Sequence, residues 1–293
     1  MLHTIMLCFL LLLISAVPQQ PHPRVQQQEP AGRRVELKSL KGARLFVTPT
    51  VNTNKPVPLV VHFHGVPWLI ETQIATHLSH AALITVNLGA GSNAYRHPFE
   101  QTELFQSLID EAAHELNLRR GWSTITLSGF SAGYGAVREI LRQPKNFARV
   151  DNVMLLDGMH TSYIPEGRSV AEGGVIDSAG LDSFIKFARE AVAGRKRFIF
   201  THSQIVPGTY ASTTECADYV LSQLRSDNSL SAEVRRKLQR LADMHTTPDA
   251  MKQLTSVDAK GLHVRGFTGD TAADHVDHLH IMSNWFSLLK MNR

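Results

Sequence analysis

The sequence predicts an α/β fold: a mostly parallel central sheet of about eight strands with helices on both faces. Two observations carry this. Short runs of β-branched and aliphatic residues alternate along the chain with longer amphipathic stretches, the order in which crossover helices join parallel strands. At one such junction, Thr124-Ile125-Thr126-Leu127 passes through Gly129-Phe130-Ser131-Ala132-Gly133 straight into a helix-forming stretch at 136–142, with Val137, Ile140 and Leu141 on one face. An apolar content of 43% in 293 residues is enough for a sizeable core.

In chain order, residues 7–14 form an apolar run followed by the small residues Ser15-Ala16-Val17. This predicts a signal peptide over 1–17, with cleavage near Ala16 and a secreted or periplasmic product. The run is too short for a comfortable membrane span and lacks a preceding Lys or Arg, so an uncleaved N-terminal anchor is the alternative. Residues 18–34 are rich in Pro and Gln and read as a linker. One domain is expected over 35–293. If Cys8 leaves with the signal, Cys216 is the last cysteine and no intramolecular disulfide can form.

Within that domain, 35–40 and 43–48 read as an edge hairpin, and 57–63 as the third strand. Residues 70–80 read as a helix and 82–88 as a strand, followed by a glycine-rich loop at 89–95 without the Gly-Lys-Ser/Thr ending of a phosphate loop. A long helix is expected over 98–118, then the strand that leads to Ser131. Residues 152–156 form the next strand, ending in Asp157-Gly158-Met159-His160. The stretch 161–180 has little periodicity and, as part of a lid-like segment around 159–180, is expected to be functional. Helices at 181–193, 213–224 and 232–242, strands at 197–201 and 262–267, and a final helix at 276–290 complete the pattern.

The pentapeptide around Ser131 has a physical logic. A strand that turns sharply into a helix strains its central residue and leaves no room for side chains beside it. The turn lifts the serine hydroxyl off the sheet and sets the next N–H at a helix start, where it can stabilise an oxyanion. A second motif, His64-Gly65-Val66-Pro67, follows the third strand. Taken together, the element order and these motifs make residues 35–293 resemble serine hydrolases of the α/β-hydrolase fold, of the esterase and lipase kind. The resemblance implies Ser131 as nucleophile and the backbone N–H groups of Val66 and Ala132 as oxyanion donors. His64 reads as a turn histidine that hydrogen-bonds the loop.

A serine nucleophile needs a base and a group that orients it, in the chain order Ser, Asp or Glu, His. The base belongs after the last strand, where His275, His278 and His280 compete. The earliest reaches most easily back over the strand ends, so His275 is the choice and His278 the second. For the acid, the resemblance points four residues ahead of a proline in a Val-Pro step. Here Val206-Pro207 makes that position Ser203, a departure from the pattern. Asp157, at the end of the strand after the nucleophile helix, is the choice. Glu215 is second, because Ser212-Thr213-Thr214-Glu215 has the spacing of a helix cap. Asp270 lies close in sequence to the base.

The expected function is a secreted serine hydrolase acting on a carboxylic ester through an acyl-enzyme, with a small-molecule or acylated substrate and no cofactor. Two other classes stay open. The run 274–280 is dense in His and Asp and admits a metal-dependent hydrolase, although a His-x-His-x-Asp-His site would need histidine at Ala273. The same fold can also serve as a non-catalytic binding protein. The net charge of +4 comes from scattered basic residues without interleaved aromatics, which argues against nucleic acid as partner. Oligomeric state and acyl preference have no signature in the chain.

Overall fold

The computed structural model describes residues 27–247, 249 and 251–291. The expected signal peptide and the first part of the linker lie outside the described residues. In chain order the main elements are β1 (Arg33–Glu36), β2 (Ala43–Val47), β3 (Val57–Phe63), α1 (Pro67–His77), β4 (Ala82–Val86), α2 (Ser92–Phe99), α3 (Leu104–Glu115) and β5 (Trp122–Phe130). Then come α4 (Tyr134–Arg142), α5 (Pro144–Arg149), β6 (Asn152–Leu156), β7 (Tyr163–Ile164), β8 (Val175–Ile176), α6 (Asp182–Val192) and β9 (Arg197–His202). The chain closes with α7 (Thr213–Arg225), α8 (Ala232–Lys237), β10 (Leu241–Thr246), β11 (Lys252–Ala259), β12 (Leu262–Phe267) and α9 (Ala272–His280), followed by 3₁₀ turns over Met282–Leu288.

The central sheet has ten strands in the order β1-β2-β4-β3-β5-β6-β9-β12-β11-β10. From β4 to β12 every neighbouring pair is parallel, and antiparallel strands extend the sheet at both edges. The strand count exceeds the expected eight because β10 and β11 carry no clean alternation. Residues 241–246 are mostly exposed, and their strand form rests on pairing with β11 through a shifted register. The helix expected over 232–242 accordingly stops at Lys237. Of the helix expected over 98–118 the structure forms Leu104–Glu115, and α2 (Ser92–Phe99) instead begins inside the stretch expected to be the 89–95 loop. The last helix ends at His280, and 3₁₀ turns take over what was expected to be helix to 290.

Alternation along the central strands sorts side chains into two buried layers. Leu59, Val61, Ile125, Leu127, Val153, Leu155, Phe198 and Phe200 face one layer, packed with Phe105, Val137, Ile140 and Phe187. Val60, Met154, Leu156 and Ile199 face the other, packed with Ile70, Ile74, Leu279 and Trp285. The start of α1 is held to the sheet edge by Glu71, a buried carboxylate that accepts from Arg34 at 2.8 Å and Arg44 at 2.6 Å. Two cations and their hydrogen bonds offset the desolvation that a lone buried carboxylate would suffer. The chain leaves β3 toward β4 on one side, then crosses back to β5 on the other. In a parallel sheet the crevice at such a reversal, outside the strand ends, is where ligands bind. Ser131 stands at that crevice.

Candidate active site

Ser131 follows β5 directly and adopts a left-handed φ of 47°. For a non-glycine residue this conformation is strained and persists only where its surroundings enforce it. Two close approaches do so. A side chain at Gly133 would place its first carbon 2.1 Å from the Phe63 carbonyl oxygen, and one at Gly158 would lie 2.5 Å from that of Ser131. The turn is therefore wedged between the end of β3 and the loop after β6.

Asp157 opens that loop, also in a left-handed conformation (φ 43°), and is 1% exposed. Its carboxylate is fully engaged. Oδ2 accepts from His275 Nδ1 at 2.7 Å and from the Ser203 hydroxyl at 2.8 Å. Oδ1 accepts from the Ser203 N–H at 3.0 Å and the Thr213 hydroxyl at 2.7 Å. Burial by itself would push the carboxyl up. The electrostatic influence of His278, then the hydrogen bond and field of His275, and the hydrogen bond from Thr213 outweigh it and hold the group well below the usual carboxylate range. Since a carboxylate only accepts, His275 Nδ1 carries a proton, which in a neutral imidazole leaves Nε2 as the acceptor.

His275 sits one turn into α9, whose start is closed by a reciprocal cap between Thr271 and Asp274. Its ring lies over Phe130, centroids 4.6 Å apart, and His64 stacks near the same phenyl ring at 5.8 Å. His64 Nδ1 meets the Tyr95 hydroxyl at 2.8 Å, and burial followed by the field of His275 lowers its pKa. The His64 carbonyl accepts from His62 Nε2 at 2.8 Å, while His62 Nδ1 meets Ser128 Oγ at 2.9 Å. Burial takes the His62 pKa down to about 4, so this ring is neutral at pH 7 and serves as a brace.

Two adjoining cavities open at Ser131. One of about 710 Å³ is walled by His64, Ala132, Tyr134, the loop at 90–91 with the start of α2, and the loop at 160–162. The other, about 350 Å³, includes Asp157, Ser203 and His275. Ser131, His160 and Tyr210 border both. His160 donates through Nδ1 to the Ala211 carbonyl at 2.9 Å and packs edge-on to Tyr134 and Tyr210.

The structure thus brings Ser131, His275 and Asp157 to one cleft, with Ala132 in the 3₁₀ turn beside the serine. Val66 is half-buried at the N-cap of α1 and lines neither cavity. Glu215 lies elsewhere. It caps α7, accepting from Ser212 N at 2.9 Å and Oγ at 2.8 Å, and takes the Tyr163 hydroxyl at 2.8 Å. His278 is buried against Phe267 with Nδ1 2.7 Å from Thr201 Oγ1, and burial, opposed by Asp157, lowers its pKa. The dense run 274–280 is spread over separate tasks: Asp274 caps, His275 meets Asp157, His278 meets Thr201. Among the described residues no group of three or more His, Cys, Asp or Glu is placed to hold a metal ion.

Ser203, Thr213 and Tyr210 carry no role in the sequence reading, and Tyr95 and His160 enter it only as members of the 89–95 loop expected to rim the site and of the 159–180 segment. Ser203 had a signal, since it stands where the resemblance places an acid. The others are read only from their neighbours in space.

No protein-family description matches the chain, and no curated protein does. Solved structures do. A protein called FAE aligns with TM-score 0.52 at 14% identity, over 95% of this chain and 97% of that one. The feruloyl esterase module from Clostridium thermocellum aligns at 0.48 and 11% identity over 95% and 98%, and carboxylesterase CesB from Bacillus subtilis at 0.44 and 11% over 87% and 91%. At such identities the likeness concerns the fold. The chain has the α/β-hydrolase fold.

Proposed function

We propose that this protein is a serine hydrolase that cleaves a carboxylic ester through an acyl-enzyme. The observation that carries the reading is the 2.7 Å contact between His275 Nδ1 and Asp157 Oδ2, in a cleft that also holds the strained Ser131. In this reading Ser131 Oγ attacks the ester carbonyl as His275 Nε2 takes its proton. The oxyanion is met by the N–H of Ala132, with that of Val66 as the second donor. Collapse breaks the carbon–oxygen bond to the alcohol, which leaves with the proton from His275. Water, activated by the same imidazole, then releases the acid and restores the serine. Asp157 keeps its charge throughout, fixes the tautomer and stabilises the imidazolium. The chemistry needs no cofactor. The apolar run at 7–14 and the small residues at 15–17 support export, and so a substrate outside the cytoplasm.

The test is a panel of esters of varied acyl length, with fluorophosphonate labelling. Wild type should turn over at least one ester and label at Ser131. Ser131→Ala should lower kcat by about 10⁴-fold or more with the fold intact. Full activity in that variant, or no labelling of wild type, would sink the reading.

A further inference from the structure

The larger cavity beside Ser131 has a feature that ester chemistry alone does not require. Arg138 forms part of its wall, one turn before the end of α4, and its side chain is only 11% exposed. A guanidinium offers five N–H donors in a rigid fork. Arg138 uses few of them: Nε lies 3.4 Å from Glu139 Oε1, too poorly placed for a hydrogen bond, and the group lies over the Tyr134 ring at 5.4 Å. Glu139 is committed to Arg142, whose Nη1 donates to both carboxylate oxygens at 2.8 and 3.1 Å. One buried carboxylate therefore serves two cations.

Arg142 and Arg96 border the same cavity. Arg96 faces it from α2 and has its acid partner, Glu100 at 3.3 Å, on the exposed side of that helix. The carboxylate on the wall, Asp177, is turned to its own loop, where Oδ1 accepts from Ala179 N at 3.0 Å. A mostly buried cation with spare donors that borders a void of about 710 Å³ is underserved unless a ligand completes it.

We infer that this cavity takes an ester bearing a carboxylate, which pairs with Arg138 while its acyl carbon lies at Ser131. The inference rests on the hydrolase reading for the position of the reacting carbon. A planar carboxylate matches the guanidinium fork with two parallel hydrogen bonds, a fit that a point-like ammonium does not offer. Arg96 supplies a second positive charge at the opening and favours entry of anions.

Two substrate pairs separate the sources of the charge. The first is 4-nitrophenyl hemiglutarate against 4-nitrophenyl pentanoate, with the anion on the acyl part. The second is 3-acetoxybenzoate against its methyl ester, with the anion on the alcohol part. In one pair wild type should prefer the charged member in kcat/KM by about ten- to hundredfold, and 0.5 M NaCl should narrow the preference. Arg138→Gln should bring the ratio of charged to neutral near one, and Arg96→Gln, on a more exposed helix, should reduce it. Turnover with no charged preference in either pair, or a ratio untouched by Arg138→Gln, overturns the proposal and leaves the hydrolase reading standing. Binding of glutarate and benzoate to Ser131→Ala by calorimetry is independent of turnover. Affinity for one of them that falls about tenfold with Arg138→Gln supports the anion site even if no ester is cleaved, and no binding of either overturns it.

Discussion

Ser203 holds the carboxylate of Asp157 with both of its donors: the hydroxyl reaches Oδ2 at 2.8 Å and the N–H reaches Oδ1 at 3.0 Å. The two residues follow β6 and β9, which lie side by side in register, so their loops leave the sheet together. Position 203 is where the resemblance places an acid. This chain carries a serine there and the carboxylate one strand away, with Ser203 as its clamp.

Ser203→Ala removes the hydroxyl bond but keeps the backbone one. A hydrogen bond to a charged group contributes about 1.5–3 kcal/mol, and the variant should lose a similar amount in urea unfolding. With Asp157 looser, His275 is held less firmly. We expect kcat to fall about tenfold with KM little changed, because a positioning defect acts on the reacting geometry. An unchanged kcat would show that Thr213 and the backbone N–H suffice.

Asp157→Asn should lower kcat by about 10⁴-fold, since an amide facing Nδ1 favours the wrong tautomer. The same variant has a pH signature. The folded carboxyl of Asp157 lies below its ordinary value, so between the two values the unfolded chain binds more protons. Its stabilisation is therefore full above about pH 4 and is lost as pH falls through the folded value. The difference in Tm between wild type and Asp157→Asn should be constant from pH 5 to 7 and shrink below pH 4. A gap that widens on acidification would contradict a depressed carboxyl.

Gly158→Ala tests the wedge that holds the serine. Its new carbon would lie 2.5 Å from the Ser131 carbonyl oxygen and 2.7 Å from its nitrogen, and both are backbone atoms that must move. A displacement approaching 1 Å at a nucleophile costs on the order of 10²-fold in rate. We expect that loss in kcat, with weaker fluorophosphonate labelling and far-UV circular dichroism unchanged. Full labelling at the wild-type rate would mean that the loop after β6 yields instead of the turn.

Much of the fold is legible in the chain because its signals are local. Residues 57–63 and 152–156 are short apolar runs, and the turn at Ser131 declares itself by its glycine-flanked pentapeptide, even though the crowding that requires Gly133 comes from Phe63 on a neighbouring strand. Elements without a local signal escape. The strand Leu241–Thr246 is largely exposed and exists because β11 supplies its hydrogen bonds. The helix α2 escapes because Ser92-Asn93 after Gly89-Ala90-Gly91 reads as a loop, and its helical form is set by packing of Tyr95 and Phe99 into the core.

The sequence by itself determined the order of the central strands, the serine turn and the short set of acids and histidines that compete around it. Only the tertiary structure decided which of them meet. Asp157 and His275 are 118 positions apart, and no pattern along the chain encodes their 2.7 Å contact. It arises because β6, β9 and β12 lie side by side, so that the loops after them converge at one edge of the sheet. Glu215, equally acidic, is drawn off to the start of α7 by Ser212 and Tyr163. The reason is physical: the carboxylate of Asp157 is recruited by donors that folding brings from distant loops and helices, Ser203, Thr213 and His275.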